Sequence, residues 1–350
     1  MANQGSPTFR DADWSLSDEL IVATEHMSYV RNVVGQHIKG EIRSQQLGLT
    51  RLWIPGTTPA AQALAEATRR TPGAGEVRVA LRRRHTAVAA TATQQRQQQD
   101  VMGNIAEDLR ALAIAQHGGW MPTIGRNRLL SLPGSVTLGA TREISFGAQA
   151  ASGGTARTIA FGSPSEGGVG AAREISFGGG SVPTARKHWV PSQPRLAGPG
   201  RGVRIGVLDS GIWPHPWLAG GWSARPSDVL ADRDDHPPVA GHGTFVAGLI
   251  LQQAPGATLV TRKVLDGFGH GTAWEVAEAI VELGQSGIDV LNLSFCCYTS
   301  DAQPPLALAQ AVDRVNPDVV IVAAAGNHAM NRQGTGTVSA EAAAFQNLVA

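Results

Sequence analysis

A chain of 350 residues, 42% of them hydrophobic, can bury at least one full core and divide into two or three domains. Its formal net charge of +1 excludes bulk electrostatic capture of nucleic acid, which needs a large basic excess; the run Arg82-Arg83-Arg84 reads as the solvated end of a strand. Only two cysteines occur, the neighbours Cys296 and Cys297; bridging adjacent residues strains the peptide between them, so no disulfide framework is expected and both read as small, semi-buried apolar residues. In the first region, residues 1–118, Leu20-Ile21-Val22-Ala23, Leu49 to Ile54 and Val77 to Leu81 have the pattern of strands. A helix between the last two is punctuated by Thr58 as N-cap, Pro59 at the first helical position and Thr71-Pro72-Gly73 as stop. A further helix is expected from Gln94 to Gln116, with Val101, Ile105, Leu109, Leu112 and Ile114 as its apolar stripe. The expectation is a small α+β domain with a connecting helix.

Residues 119–200 are rich in Gly, Ser, Ala and Pro and carry an internal repeat. Ala140-Thr141-Arg142-Glu143-Ile144-Ser145-Phe146-Gly147 returns as Ala171-Ala172-Arg173-Glu174-Ile175-Ser176-Phe177-Gly178, with a weaker copy, Thr155 to Gly162, between them. Each copy alternates like a short strand. The composition favours a flexible linker; a set of docking strands is the alternative.

From Gly202 onward, strands alternate with helices. Val203 to Leu208 is a near-continuous apolar run, the mark of a parallel strand buried on both faces. A helix is expected from His242 to Gln253 with Phe245, Val246, Leu249 and Ile250 inward, then a strand from Thr258 to Leu265. Thr272 and Glu275 form a capping box opening a helix that carries Val276, Ile280, Val281 and Leu283. Strand Asp289 to Phe295, helix Leu306 to Val315 and strand Asp318 to Ala324 follow. Such alternation implies a parallel sheet covered on both sides, with functional residues at the carboxyl ends of its strands.

Asp209 and Asn327 are expected at such ends, and His242 opens a helix between two glycines. Read singly, Asp209 is a turn aspartate, His242 a helix-terminal histidine and Asn327 a turn or capping asparagine. In this order, an acid, an imidazole and an amide are three parts of a hydrolytic site. A metal site of Asp234, Asp235, His236 and His242 is a weak competitor, because the histidine spacing fits no common zinc pattern and Pro237-Pro238 interrupts it.

Val207-Leu208-Asp209-Ser210-Gly211, Gly241-His242-Gly243-Thr244-Phe245-Val246-Ala247-Gly248 and Ala324-Ala325-Gly326-Asn327 together resemble the subtilisin-like serine proteases, peptidase family S8, over roughly residues 201–350. The resemblance implies an incomplete, doubly wound parallel α/β sheet, preceded by the small α+β domain and the Gly/Ser-rich repeat linker. It also implies a serine-type endopeptidase acting on polypeptides. His242 would be the general base, Asp209 would orient it and Asn327 would donate to the oxyanion. Gly248 would allow close packing of helix on sheet. Leu293, Ser294 and Phe295 resemble the strand that pairs with the substrate backbone, although Cys296-Cys297 follows where the family often has glycines.

The family's Gly-Thr-Ser nucleophile motif does not occur in the 350 residues, and Phe345 to Ala350 resembles the start of a further strand cut in mid-element. The expectation is therefore a truncated peptidase domain whose serine lies beyond this chain, inactive as it stands. A non-catalytic peptide-binding protein on the same fold is the alternative. Residues 17–85 faintly resemble the family's prodomain, which implies an intramolecular inhibitory N-terminal domain. No cofactor is required; calcium often stabilises this family, but no defined calcium loop is present. No segment has the apolar length of a membrane helix, and Phe9-Arg10-Asp11-Ala12-Asp13 breaks any signal-peptide pattern; a cytoplasmic protein without membrane or nucleic-acid partners is expected.

Overall fold

An N-terminal strand buried on both faces from Leu20 to Ala23 and a continuous apolar run near residue 205 organise two sheets. The computed structural model describes residues 15–55, 57–88, 101–132, 141–145, 158–162, 198–215, 218, 220–231, 238–297, 304–324 and 348–349. In chain order the first elements are β1 (Ser15–Ala23), α1 (Met27–Val34), β2 (Gly40–Ser44), β3 (Leu49–Trp53), α2 (Thr57–Arg70), α3 (Ala74–Val88), α4 (Val101–Gln116), β4 (Ile124–Ser131), β5 (Thr141–Ser145) and β6 (Thr158–Gly162). Then come β7 (Arg204–Asp209), β8 (Trp222–Ala224), α5 (His242–Gln253), β9 (Thr258–Lys263), β10 (His270–Thr272), α6 (Ala273–Gly284), β11 (Val290–Leu293), α7 (Leu306–Val312), β12 (Val320–Ala323) and β13 (Leu348–Val349). The chain divides into two compact units, Met1–Leu129 with Cys297–Arg314, and Leu130–Cys296 with Val315–Ala350.

In the first unit the antiparallel strands run in the order β4-β1-β3-β2. Leu20 and Val22 of β1, with Leu52 and Ile124, face a core closed by Met27 and Val30 of α1, Leu64 of α2 and Ile105 and Leu109 of α4. Ile21, one residue out of phase, is equally buried on the other side. There Gly125 meets Leu306 of α7 so closely that an added Cβ would lie 2.7 Å from the leucine Cβ.

Two expectations are corrected here. Val77 to Leu81 is not a strand but the centre of α3. The alternation of Val77, Val79 and Leu81 conceals a helical face, on which Val77, Arg78 and Leu81 are half-buried while Val79 is exposed. Arg82, read as part of the solvated end of that strand, pairs with Glu107 of α4 at 2.7 Å, and Arg78, read as within the strand, pairs with Asp108 of α4 at 2.7 Å. Within the stretch read as linker, β4 is a strand, because averaging over a Gly- and Pro-rich window hides the local run Leu129-Leu130. The first two repeat copies also pair, β5 with β6, antiparallel from Thr141↔Gly162 to Ser145↔Thr158. The third copy and residues 89–100 lie outside the described residues.

The second unit contains a parallel α/β sheet in the order β13-β12-β11-β7-β9-β8. Its central strand β7 is covered on both faces. Ile205 and Val207 pack with Ala247 and Leu251 of α5. On the opposite face a Cβ at Gly206 would fall 2.8 to 3.2 Å from Ile288, Leu291 and Leu283. α6 opens as expected on Thr272, whose hydroxyl accepts from the Glu275 N–H at 3.2 Å. Glu275 completes the contact by accepting from that hydroxyl, rather than by reaching the Thr272 backbone. Cys296 and Cys297 are more enclosed than expected, at 2% and 1% exposure.

α5 has the expected bounds but a different inner face. Gly243, Thr244, Ala247 and Leu251 are buried, while Phe245, Val246, Leu249 and Ile250 are half-buried. Small residues let the helix axis approach the sheet, which displaces the bulky ones to the flanks. The glycine responsible is Gly243 and not Gly248: a Cβ at Gly248 meets nothing closer than Leu218 at 4.0 Å. Among the described residues no helix is long and apolar enough to cross a membrane.

Candidate active site

β7 ends on Asp209, which is 1% exposed. Its backbone carbonyl accepts from the N–H groups of Val264 and Leu265, so the strand end is pinned to the segment following β9. The chain then turns through Gly211 at φ +103°, where a Cβ would lie 2.8 Å from the Asp228 carbonyl oxygen. That left-handed conformation is what glycine allows at low cost.

α5 brings His242 onto this strand end. Its Nδ1 lies 2.8 Å from Asp209 Oδ1 and 2.9 Å from Oδ2. A carboxylate only accepts, so Nδ1 carries the proton and Nε2 is the basic nitrogen of the neutral ring. The histidine side chain is 14% exposed and the aspartate side chain 2% exposed, so the pair is shielded behind and approachable from the imidazole side.

The approach is secured by small residues. Ser210 Oγ donates to the Ala240 carbonyl at 2.9 Å and accepts from the Gly243 N–H at 3.1 Å, stapling the strand end to the first turn of α5. The Ser210 N–H donates to Asp209 Oδ1 at 2.7 Å. Thr244 Oγ1 accepts from the Trp213 N–H at 2.8 Å. A Cβ at Gly243 would sit 2.3 Å from the Gly211 carbonyl oxygen and 3.0 Å from Asp209 Cβ.

Asn327 lies outside the described residues, as do Asp234, Asp235 and His236. Among the described residues no group of three or more His, Cys, Asp or Glu is arranged for a metal ion. Of the three expected peptide-contacting residues, Leu293 and Phe295 are buried at 4% and 1% exposure; alternation turns both inward, so their side chains serve the core. Ser294 is half-buried, and its Oγ accepts from Asn292 Nδ2 at 2.8 Å.

The backbone position that holds a strand is Cys296. Ser131 and Cys296 exchange both N–H···O bonds, at 2.9 and 2.8 Å, as an antiparallel bridge, and the Leu132 N–H donates to Gly269 at 3.1 Å. Residues 131–132 are thus held between Gly269 and Cys296. Leu132 and Val239 both crowd Gly269, whose missing Cβ would lie 2.9 and 2.8 Å from them. Gly269 and Cys296 were not anticipated as peptide-holding positions; the signal available was the glycine pair flanking His270.

Two further histidines border the unit's interior. Burial lowers the pKa of His215, whose ring lies 5.5 Å from Trp213, and of His270, where Asp266 opposes the shift. A folded-state pKa below the unfolded one contributes stability above about pH 6.5 that is lost as pH falls through the folded value. The urea midpoint is therefore expected to drop between about pH 7.5 and pH 5.5, and the His215→Gln, His270→Gln double variant should flatten that drop. An equal drop in the double variant would assign it elsewhere.

Residues 200–350 match the model of the Subtilase family, Peptidase S8. Subtilisin Savinase of Lederbergia lenta is 36% identical over 152 residues, covering 40% of this chain and 51% of that protein. An alkaline protease of Alkalihalobacillus alcalophilus is 36% identical over 152 residues, covering 40% of this chain and 36% of its own length. The chain thus spans about half or less of the length of these relatives. Fervidolysin from Fervidobacterium pennivorans, a keratinolytic enzyme related to subtilisin, superposes with a TM-score of 0.43 at 15% identity, covering 92% of this chain and 43% of that one. The matched region contains the Asp209–His242 pair, and residues 200–350 belong to the subtilase family of serine proteases, peptidase S8.

Proposed function

We propose that the protein is a serine-type endopeptidase of the subtilisin class, hydrolysing peptide bonds in polypeptides. One observation carries the reading: both oxygens of a buried carboxylate lie within 2.9 Å of His242 Nδ1, which fixes the tautomer a general base needs. His242 Nε2 takes the proton of a serine hydroxyl as that oxygen attacks the scissile carbonyl, and returns it to the leaving amine. Asp209 stabilises the imidazolium formed in between. The Asn327 amide donates to the tetrahedral oxyanion, a contact whose removal in subtilisin itself costs about 2.7–4 kcal/mol. The serine is taken to lie outside these 350 residues, since none of them forms a Gly-Thr-Ser motif.

The strand held at Cys296 supports a second element of the proposal. Ser131 and Leu132 occupy a backbone edge where an extended peptide would add, so the region preceding the peptidase segment acts as an intramolecular inhibitor. The same observation favours the competing reading, a peptide-binding protein without catalysis, because holding a strand needs no nucleophile. A fluorophosphonate probe applied to the complete gene product separates the two. Stoichiometric serine labelling that disappears in His242→Ala supports the peptidase; no labelling of the intact product leaves the binder.

A further inference from the structure

The edge that holds residues 131–132 does more than exchange hydrogen bonds, because each of the two residues meets a wall of its own. Ser131 and Cys296 stand directly opposite one another. Opposed residues of an antiparallel bridge project their side chains to the same face, with Cβ atoms about 5 Å apart. The Cys296 side chain therefore stands beside that of Ser131, and both residues are enclosed, at 2% and 0% exposure. Alternation turns Leu132 to the other face. There its Cδ1 and Cγ lie 2.9 and 3.1 Å from the point that a Cβ on Gly269 would occupy, and Val239 Cγ1 lies 2.8 Å from the same point. Leu132 is 3% exposed, so it shares with Val239 the enclosed space that Gly269 leaves by having no side chain.

We infer that this edge selects peptides by side-chain size at two successive positions: a small residue, serine or alanine, opposite Cys296, then leucine or a side chain of similar length over Gly269 and against Val239. Cys296 sets the first limit. A longer side chain opposite it has to displace a thiol that is itself buried, and close-packed surroundings do not absorb such overpacking. Gly269 and Val239 set the second. A side chain shorter than leucine leaves them facing a void and loses its apolar contacts. The main-chain bonds at Cys296 and Gly269 form with any sequence, so the choice between sequences falls to these side chains. The inference rests on the reading that external polypeptides add where residues 131–132 lie, and it applies to a peptidase and to a binder without catalysis alike.

The amides of Ser131, Leu132 and Cys296 donate the bonds that hold the strand, so their hydrogen-exchange protection in the 350-residue chain measures the holding without turnover. Ser131→Ala and Leu132→Met should leave that protection within about threefold. Ser131→Leu and Leu132→Ala should each lower it at least about tenfold while α6 exchanges as before. Adding Cys296→Gly to Ser131→Leu should restore it to within about threefold. Undiminished protection in Ser131→Leu would overturn the first limit, and in Leu132→Ala the second; no recovery on adding Cys296→Gly would remove Cys296 from the selection. If Ser131→Leu also exposes α6, the double variant decides: recovery of α6 and of the held amides supports the role of Cys296, and loss of both overturns it. For external polypeptides, the complete gene product acting on a mixed peptide library should cut beside a small residue followed by leucine, and Cys296→Gly should raise acceptance of larger residues at the first position at least about tenfold. Cutting without that preference would overturn the selection. No cutting at all would count against the peptidase alone, and the exchange result would stand apart from it.

Discussion

Replacing His242 by alanine in the complete gene product should lower kcat by about 10⁶-fold, and Asp209→Asn by about 10⁴-fold, with KM nearly unchanged. These sizes are those of serine-protease triads, subtilisin included, in which the members act as a unit. The asymmetry follows from the geometry described above. On the proposed mechanism the imidazole is the group that would accept the hydroxyl proton, and its removal would leave in its place the Asp209 carboxylate, whose side chain is 2% exposed. In the Asp209→Asn variant the ring remains, but an amide N–H can face Nδ1, which favours the wrong tautomer. Steady-state kinetics on a peptide substrate, with a pH profile for the Asp209→Asn variant, would check both. A loss below tenfold for His242→Ala would remove this histidine from the chemistry.

Gly243→Ala should cost about 3 kcal/mol or more. Its Cβ would lie 2.3 Å from the Gly211 carbonyl oxygen, a backbone atom that cannot rotate away, and 3.0 Å from Asp209 Cβ. α5 would have to lift from the strand end, stretching both bonds of Ser210 and drawing His242 off its carboxylate. Gly248→Ala, more than a turn along the same helix, meets only Leu218 at 4.0 Å. It should be neutral or stabilise by up to about 1 kcal/mol, since alanine is the better helix former. Denaturant midpoints for the pair decide the matter: equal effects would mean that the contact at Gly243 does not set the helix position.

The parallel sheet was legible because a strand buried on both faces has to be apolar throughout, and Val203 to Leu208 is. The bounds of α5 were legible from their glycine and apolar punctuation, but its inner face was not. Hydrophobicity ranks Phe245 and Leu249 above Gly243 and Ala247, whereas close approach to Asp209 ranks them the other way. α3 was misread because the alternating valines around Arg78 satisfy a strand and a helix alike; Asp108 and Glu107, the partners that decide it, are remote in sequence. The acid and the imidazole could be read from their motifs. The holding of residues 131–132 could not, since backbone hydrogen bonds such as those of Ser131 carry no side-chain signature.

That last contact has a quantitative corollary for any peptide arriving from solution. Three main-chain bonds, two at Cys296 and one at Gly269, each contribute about 1 kcal/mol net. A segment tethered in its own chain presents itself at an effective concentration of about 1 mM. A rival of equal intrinsic affinity at about 1 μM would therefore occupy the edge roughly a thousand times less often. On the proposed peptidase reading, turnover on external polypeptides would begin with severing or displacing that tether, and progress curves of freshly folded protein should show a lag that vanishes once it is cut.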